Sequence, residues 1–195
     1  KYERPVKYSE LRPKDKHQFL TTSLAVGYLL GATDPDVIEI FGRINSVSKS
    51  LSPQEKRNAK FSGEFKQFCL RQAALRVDFW RTANIFTAAN IARMVEIQFV
   101  AELVMNMMEG LQDYSPKRID DFYSKYDDEF PQQVEMARRF DATFSLFVSL
   151  QTGLLKDSIF SRSPLFFSLF IILDDKKNRV SPSELAGAIS DIDLH

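Results

Sequence analysis

The sequence predicts a mainly α fold with one or two strands, and three observations lead there. Ser-Pro pairs stand directly ahead of apolar-periodic runs at Ser52-Pro53, Ser115-Pro116, Ser163-Pro164 and Ser181-Pro182. Apolar residues elsewhere recur at three- and four-residue spacing, the period of a helix with one buried face. Only residues 22–32 read as β-prone. With 195 residues, 44% apolar and 12% aromatic, the chain can enclose a sizeable core.

In chain order, the strand "TSLAVGYLLGA" at 22–32 exits through glycine into a helix opened by Thr33-Asp34-Pro35. The next helix starts at Ser52-Pro53. Proline at the first helical position forfeits no intrahelical bond, and the serine oxygen accepts from an orphan amide. Ser52 with Glu55, and Ser181 with Glu184, have the spacing of capping boxes. Thr87 opens what reads as one long central helix ending at Gly110, with Ile91, Val95, Phe99, Leu103 and Met107 four apart and Met94 and Val104 beside them. Residues 132–153 repeat the pattern through Val134, Met136, Phe140, Phe144 and Phe147, and are expected to pack on that helix. The run "PLFFSLFIIL" at 164–173 is short of the roughly 20 residues a membrane span needs, and reads as a buried helix. The turn "DDKKNR" at 174–179 precedes a short final helix. It is no calcium loop, because Leu173 and Lys177 would fall at ligand positions. The boundaries expected are 1–45, 46–173 and 174–195.

Basic and acidic residues balance at 26 each, so no global field draws the chain to nucleic acid or to an anionic membrane. A single cysteine, Cys69, cannot form an internal disulfide, and two histidines, His17 and His195, are too few for a ligand cluster. Both points favour a reducing, cytoplasmic setting. The opening "KYERPVKYSEL" has neither a methionine nor an apolar signal segment, and is read as beginning inside a longer protein. There is no nucleophile elbow and no Gly-rich phosphate loop. Cys69 lies in an apolar helical run and is expected to be an inert thiol. Trp80 is expected to anchor packing under a helix connection.

Charge is uneven locally. Residues 49–76 carry seven basic side chains, among them Lys49, Lys56, Lys60 and Lys66, against two acidic ones; residues 109–129 carry seven acidic against three basic. The basic run could track a phosphate backbone, or the two runs could neutralise each other across the fold. Within it, "RINSVSKSLSPQEKRNA" at 43–59 gathers Arg43, Asn45, Gln54, Glu55, Arg57 and Asn58 around a helix start. Glu55 and Asn58 share a face, Arg57 and Phe61 an adjoining one. If the connection folds back, Asn45, Glu55 and Asn58 converge where free amides favour an anion such as phosphate. The competing reading makes Glu55 a capping residue, Asn45 a helix terminator and Arg57 part of a solvated face.

The order of these segments is informative. "YSEL", "TSLAVGYLLGATDPDVIEIFGRIN", "LSPQEKRNAKFSGEFKQF", "FTAANIARMVEIQFVAELVMNMMEG" and "IDDFYSKYDDEFP" follow one another as in the domain-of-unknown-function family numbered 262, which the chain resembles over about residues 6–131. That family supplies the ParB-like part of GmrSD-type restriction enzymes. Its most specific patterns here are F-x-R-[IL]-N followed by L-[ST]-x-Q-E-[LI]-R-[NH]-A, and the ending Y-x-x-Y-x-x-x-F. The D-G-Q-Q-R motif of the family's amino-terminal part is absent from this sequence, Lys56 stands where an aliphatic residue is usual, and Glu96 and Gln98 replace an Asp and a Glu.

The resemblance implies a truncated ParB-like α+β domain, with residues 1–45 contributing its last strand and helix, followed by a helical domain. It implies a fragment of a nucleotide-dependent, DNA-targeting defence protein. Arg43, Asn45, Gln54, Glu55, Arg57 and Asn58 would form part of its nucleotide site, and Lys49, Lys56, Lys60 and Lys66 are candidates for nucleic-acid contact. No cofactor is expected in the fragment itself; a nucleoside triphosphate and a divalent metal would belong to the complete protein. Expected partners are DNA, the missing amino-terminal half or a nuclease subunit, and a second copy, with no membrane. Catalysis would need the missing half. The alternative is a helical interaction or dimerisation module with a Phe- and Met-rich face around Met105, Met107 and Met108.

Overall fold

Side-chain caps set four of the ten α-helix starts among the described residues. In the computed structural model, which describes residues 7–23, 26, 31, 33, 51–150, 153–176 and 180–193, the described residues form ten α-helices and two short 3-10 turns and contain no strand. The fold is mainly α, as expected. Most of the strand expected at 22–32, and the start of the helix expected from Thr33, lie outside the described residues.

The chain divides into two compact units, residues 1–41 and 42–195. In the first, the 3-10 turn Tyr8–Glu10 leads into α1, Pro13–Thr21. The Lys16 ammonium donates to the Ser9 carbonyl at 2.9 Å, and Tyr8 lies 5.4 Å from Phe19, closing the turn onto the helix.

The second unit holds α2 (Pro53–Lys60), α3 (Glu64–Ala74), α4 (Val77–Thr82), α5 (Ala88–Ala92), α6 (Val95–Glu109), α7 (Pro116–Lys125), α8 (Gln133–Val148), α9 (Ser163–Lys176) and α10 (Pro182–Asp193). The expected caps are present at Ser52, Thr87, Ser115 and Ser181, whereas Ser163 is itself the first residue of α9 and Arg162 precedes it. Ser52 and Thr87 each complete a capping box, with Glu55 and Asn90, and the Ser115 oxygen accepts from the Arg118 amide. Ser181 exchanges hydrogen bonds with Glu184. Gly110 ends α6 at φ 81°, a conformation that suits a residue without a β-carbon.

The long helix expected from Thr87 to Gly110 is two helices. Met94 takes a left-handed conformation, φ 58°, and separates α5 from α6. Left-handed backbone is unfavourable for an unbranched side chain, yet here tertiary contacts outweigh propensity. The break lets Met94 pack against the core while Arg93 turns to the Glu55 carboxylate.

Helix α6 runs through the middle of the unit, with Val100, Ala101, Leu103, Val104 and Met105 all buried. A helix apolar on nearly every side is stable only when neighbours surround it. Helices α2, α3, α5, α7 and α9 pack on it. Helix α8 reaches α6 directly through Arg139, which donates to the Met107 carbonyl at 3.0 Å, while α3 and α9 each pack on both helices. Val134 is no core residue. It is 82% exposed, while Met136, Phe140, Phe144 and Phe147 are buried, since two residues along a helix is more than half a turn. Helix α10 covers α8, with Leu185 and Ile189 buried in the same core.

Trp80 is the expected anchor. Fully buried, it donates from Nε1 to the Ala73 carbonyl at 3.2 Å and meets Phe79, Phe86, Phe99, Phe144 and Phe166 with ring centroids 5.2–6.0 Å apart. Most of these pairs are edge-to-face, the arrangement that ring quadrupoles prefer.

Candidate functional site

Helix α2 carries the described part of the 43–59 stretch; Arg43, Asn45 and Lys49 lie outside the described residues. At its start the Ser52 amide donates to Glu55 Oε2 at 2.6 Å, and the Glu55 amide donates to Ser52 Oγ at 3.1 Å. Pro53 has no amide hydrogen, and the Lys56 amide donates to the Ser52 carbonyl. Of the amides a helix start offers to an anion, these bonds leave the one on Gln54. The capping box therefore competes with an anion for α2's N-terminus.

Gln54, Arg57 and Phe61 fall on one face, and that face points inward. Gln54 is 2% and Arg57 3% exposed. The reading of Arg57 as part of a solvated face is corrected: Phe61 enters the core, and the side chain one turn before it is carried in too. The Arg57 guanidinium donates to Asp120 Oδ1 at 2.5 Å, Gln98 Oε1 at 3.1 Å and the Pro116 carbonyl at 3.2 Å, tying α2 to α6 and α7. Gln54 Nε2 donates to the Tyr123 hydroxyl at 3.1 Å, while its buried Oε1 has no partner among the described residues. Tyr123 and Cys69 are in hydrogen-bond contact, and burial pushes both groups well above their ordinary values. Cys69 is thus an inert buried thiol, as expected.

Glu55 and Asn58 lie on the less buried side. Glu55 accepts from Arg93 at 3.0 and 3.2 Å, and the Ser52 amide bond is the main reason its carboxyl is held below the usual range. Asn58 differs from the other three. Its carbonyl accepts from Lys66 Nζ at 2.8 Å, but its side chain makes no hydrogen bond among the described residues.

The opposing charge runs meet at two points, Asp120 and Asp127. Arg57 pairs with Asp120, the Gly63 amide donates to Asp127 Oδ1 at 2.7 Å, and Asp127 attracts the half-buried Lys66, whose ammonium burial pulls downward. Gly63 has to be glycine, because a β-carbon there would lie 1.7 Å from the Asp127 carbonyl oxygen. Of the described lysine candidates, Lys56 and Lys60 remain exposed, with Lys60 over the Phe61 ring at 4.9 Å. Met105 and Met107, placed by the sequence on an interaction face, are buried in the core.

A second feature was missed from sequence. A cleft of about 450 Å³ opens between α6, the segment leading into α7 and the start of α9. One wall is aromatic, formed by Phe86, Phe99 and Phe167; another carries Gln98, Glu102 and Asn106. Gln98 links it to α2. Its Oε1 accepts from Arg57, which orients its Nε2 toward Glu102 Oε1, 2.9 Å away. Asn106 is held at both ends, donating to the Glu102 carbonyl at 2.7 Å and accepting from the Gln112 amide at 2.9 Å. Burial raises the Glu102 carboxyl above its ordinary value, with Arg57 acting against that. The signal was present in the sequence: Gln98, Glu102 and Asn106 are four apart, a polar line along an otherwise apolar helix.

Among the described residues, no three His, Cys, Asp or Glu side chains are grouped so as to hold a metal ion, and no helix is long and apolar enough to cross a membrane. Compared with models of protein families, with curated proteins and with solved structures, the chain matches none.

Proposed function

We infer that this chain is the helical part of a ParB-like, nucleotide-dependent, DNA-targeting defence protein of the restriction type, contributing one wall of its nucleotide site. The supporting observation is that the segments whose order carries the family resemblance are bonded to one another in space. Glu55 pairs with Arg93, Arg57 bonds to Gln98 and Asp120, and Gln54 bonds to Tyr123. Three motifs far apart in sequence share one joint around α2. In this reading Gln54 and Arg57 position the helix, Glu55 fixes its start, and Asn58, with its amide unengaged, is the residue on α2 left to touch a nucleotide.

The test is ATP binding by the full-length gene product. Asn58→Ala is expected to lose ATP binding with an unchanged melting temperature. Glu55→Ala is expected to lose binding together with about 0.5–2 kcal/mol of stability, the usual worth of a cap. Wild-type affinity in Asn58→Ala would remove α2 from the site.

An interaction module is the second reading, and its supporting observation is a groove between α3, α4 and α8. Leu75 and Val148, each 70% exposed, line it with Phe79. A concentration-dependent dimer that binds no ATP would favour this reading over the first.

A further inference from the structure

We propose that the cleft between α6, α7 and α9 binds a small flat organic cation of the amine or amidine kind, its nitrogen on Glu102 and its ring against Phe86, Phe99 and Phe167. This site stands on its own observations and does not depend on the ParB-like reading.

Glu102 is the central feature. Its Oε1 accepts one hydrogen bond, from Gln98, and Oε2 has no partner among the described residues. It belongs to no ion pair there either. The nearby cations are engaged elsewhere: Arg57 with Asp120, Gln98 and Pro116, and Arg118 with Glu109 at 2.9 Å. Glu102 is half-buried on the cleft wall, and a cationic N–H donor entering the cleft would meet its second oxygen in a charge-assisted bond. Burial raises the Glu102 carboxyl, and the Gln98 bond and the Arg57 charge act against it.

The surroundings narrow the ligand further. The bonds of Gln98 and Asn106 hold both amides in place, so the available group on this wall is an acceptor. Beside it, Phe99 lies 5.3 Å from Phe86 and 5.6 Å from Phe167. Ring faces attract cations and pack against flat apolar bodies. The volume, about 450 Å³, is in the range of small-molecule pockets, roughly 300–1,000 Å³. An anion would meet the Glu102 carboxylate, and the arginine that lines the cleft, Arg118, is paired with Glu109.

Benzamidine is a suitable probe, with neutral benzamide as its near-isosteric control. Titrated into the 15N-labelled chain, benzamidine is expected to give saturable amide shifts centred on residues 98–106 and 112–119, and to bind at least about tenfold tighter than benzamide, as a charge-assisted bond implies. Glu102→Gln keeps the side-chain shape and should remove that preference. Val95→Trp, at a partly exposed position on the cleft wall, should block both compounds without touching Glu102. The proposal is overturned if benzamidine gives no saturable shifts, if benzamide binds equally well, or if folded Glu102→Gln retains the preference.

Discussion

The joint around Arg57 and the aromatic core around Trp80 lie in the same helical unit but are built on different physics. Around Trp80, contacts are non-directional, and rings from α4, α6, α8 and α9 meet at 5.2–6.0 Å with one hydrogen bond among them. Around Arg57, three directed bonds join α2 to its neighbours, and a buried cation faces a half-exposed carboxylate. The core contributes stability in proportion to the area it removes from water. The joint contributes less net energy, because desolvating charge opposes the bonds formed, but it fixes geometry. Residues of the 43–59 stretch occupy the joint, where they tie α2 to its neighbours and orient Gln98 beside the cleft.

Substitutions should separate the two. Trp80→Ala is expected to have the largest effect, about 3–5 kcal/mol from lost burial and the cavity left behind, read by denaturant unfolding. Arg57→Ala should cost less, about 2–3 kcal/mol, since Asp120 can rehydrate once its partner is gone. Arg57→Met, keeping the buried stem, should recover much of that loss while leaving Gln98 unoriented. If Arg57→Met is as unstable as Arg57→Ala, the bonds rather than the burial stabilise the joint.

The smallest effect is expected at Glu96, in the first turn of α6, where Oε2 is buried without a partner and burial raises the carboxyl above its ordinary value of 4.5. The folded chain then binds this proton more tightly than the unfolded chain does. The group consequently weakens stability above its folded pKa, and the penalty fades as pH falls toward 4.5. Glu96→Gln should therefore gain up to about 1 kcal/mol at neutral pH, with the gain shrinking on acidification, as read from melting temperatures across pH. A gain constant with pH would assign the effect to packing instead.

Much of the helical framework was legible because its signals are local. Ser52, Thr87, Ser115 and Ser181 satisfy amides within three residues of themselves, so each start could be read without knowing the fold. The inward turn of Arg57 was half legible: Phe61 shares its face, but that this face would be buried depends on α7 supplying Asp120 and Tyr123. The break at Met94 was not legible. Its residues suit a continuous helix, and the left-handed turn is held by contacts with α2 and the core.

The sequence by itself determined the helical class, four helix starts with their caps, the inert Cys69 and the anchoring role of Trp80, because periodicity and capping are properties of neighbouring residues. Only the tertiary structure decided that Arg57 of the basic run pairs with Asp120 of the acidic one and that Gln54 and Arg57 are pins. It alone assembled the cleft at Glu102. Those outcomes rest on contacts between residues about 40 to 70 positions apart, and local spacing carries no information about which distant partner will satisfy a buried charge.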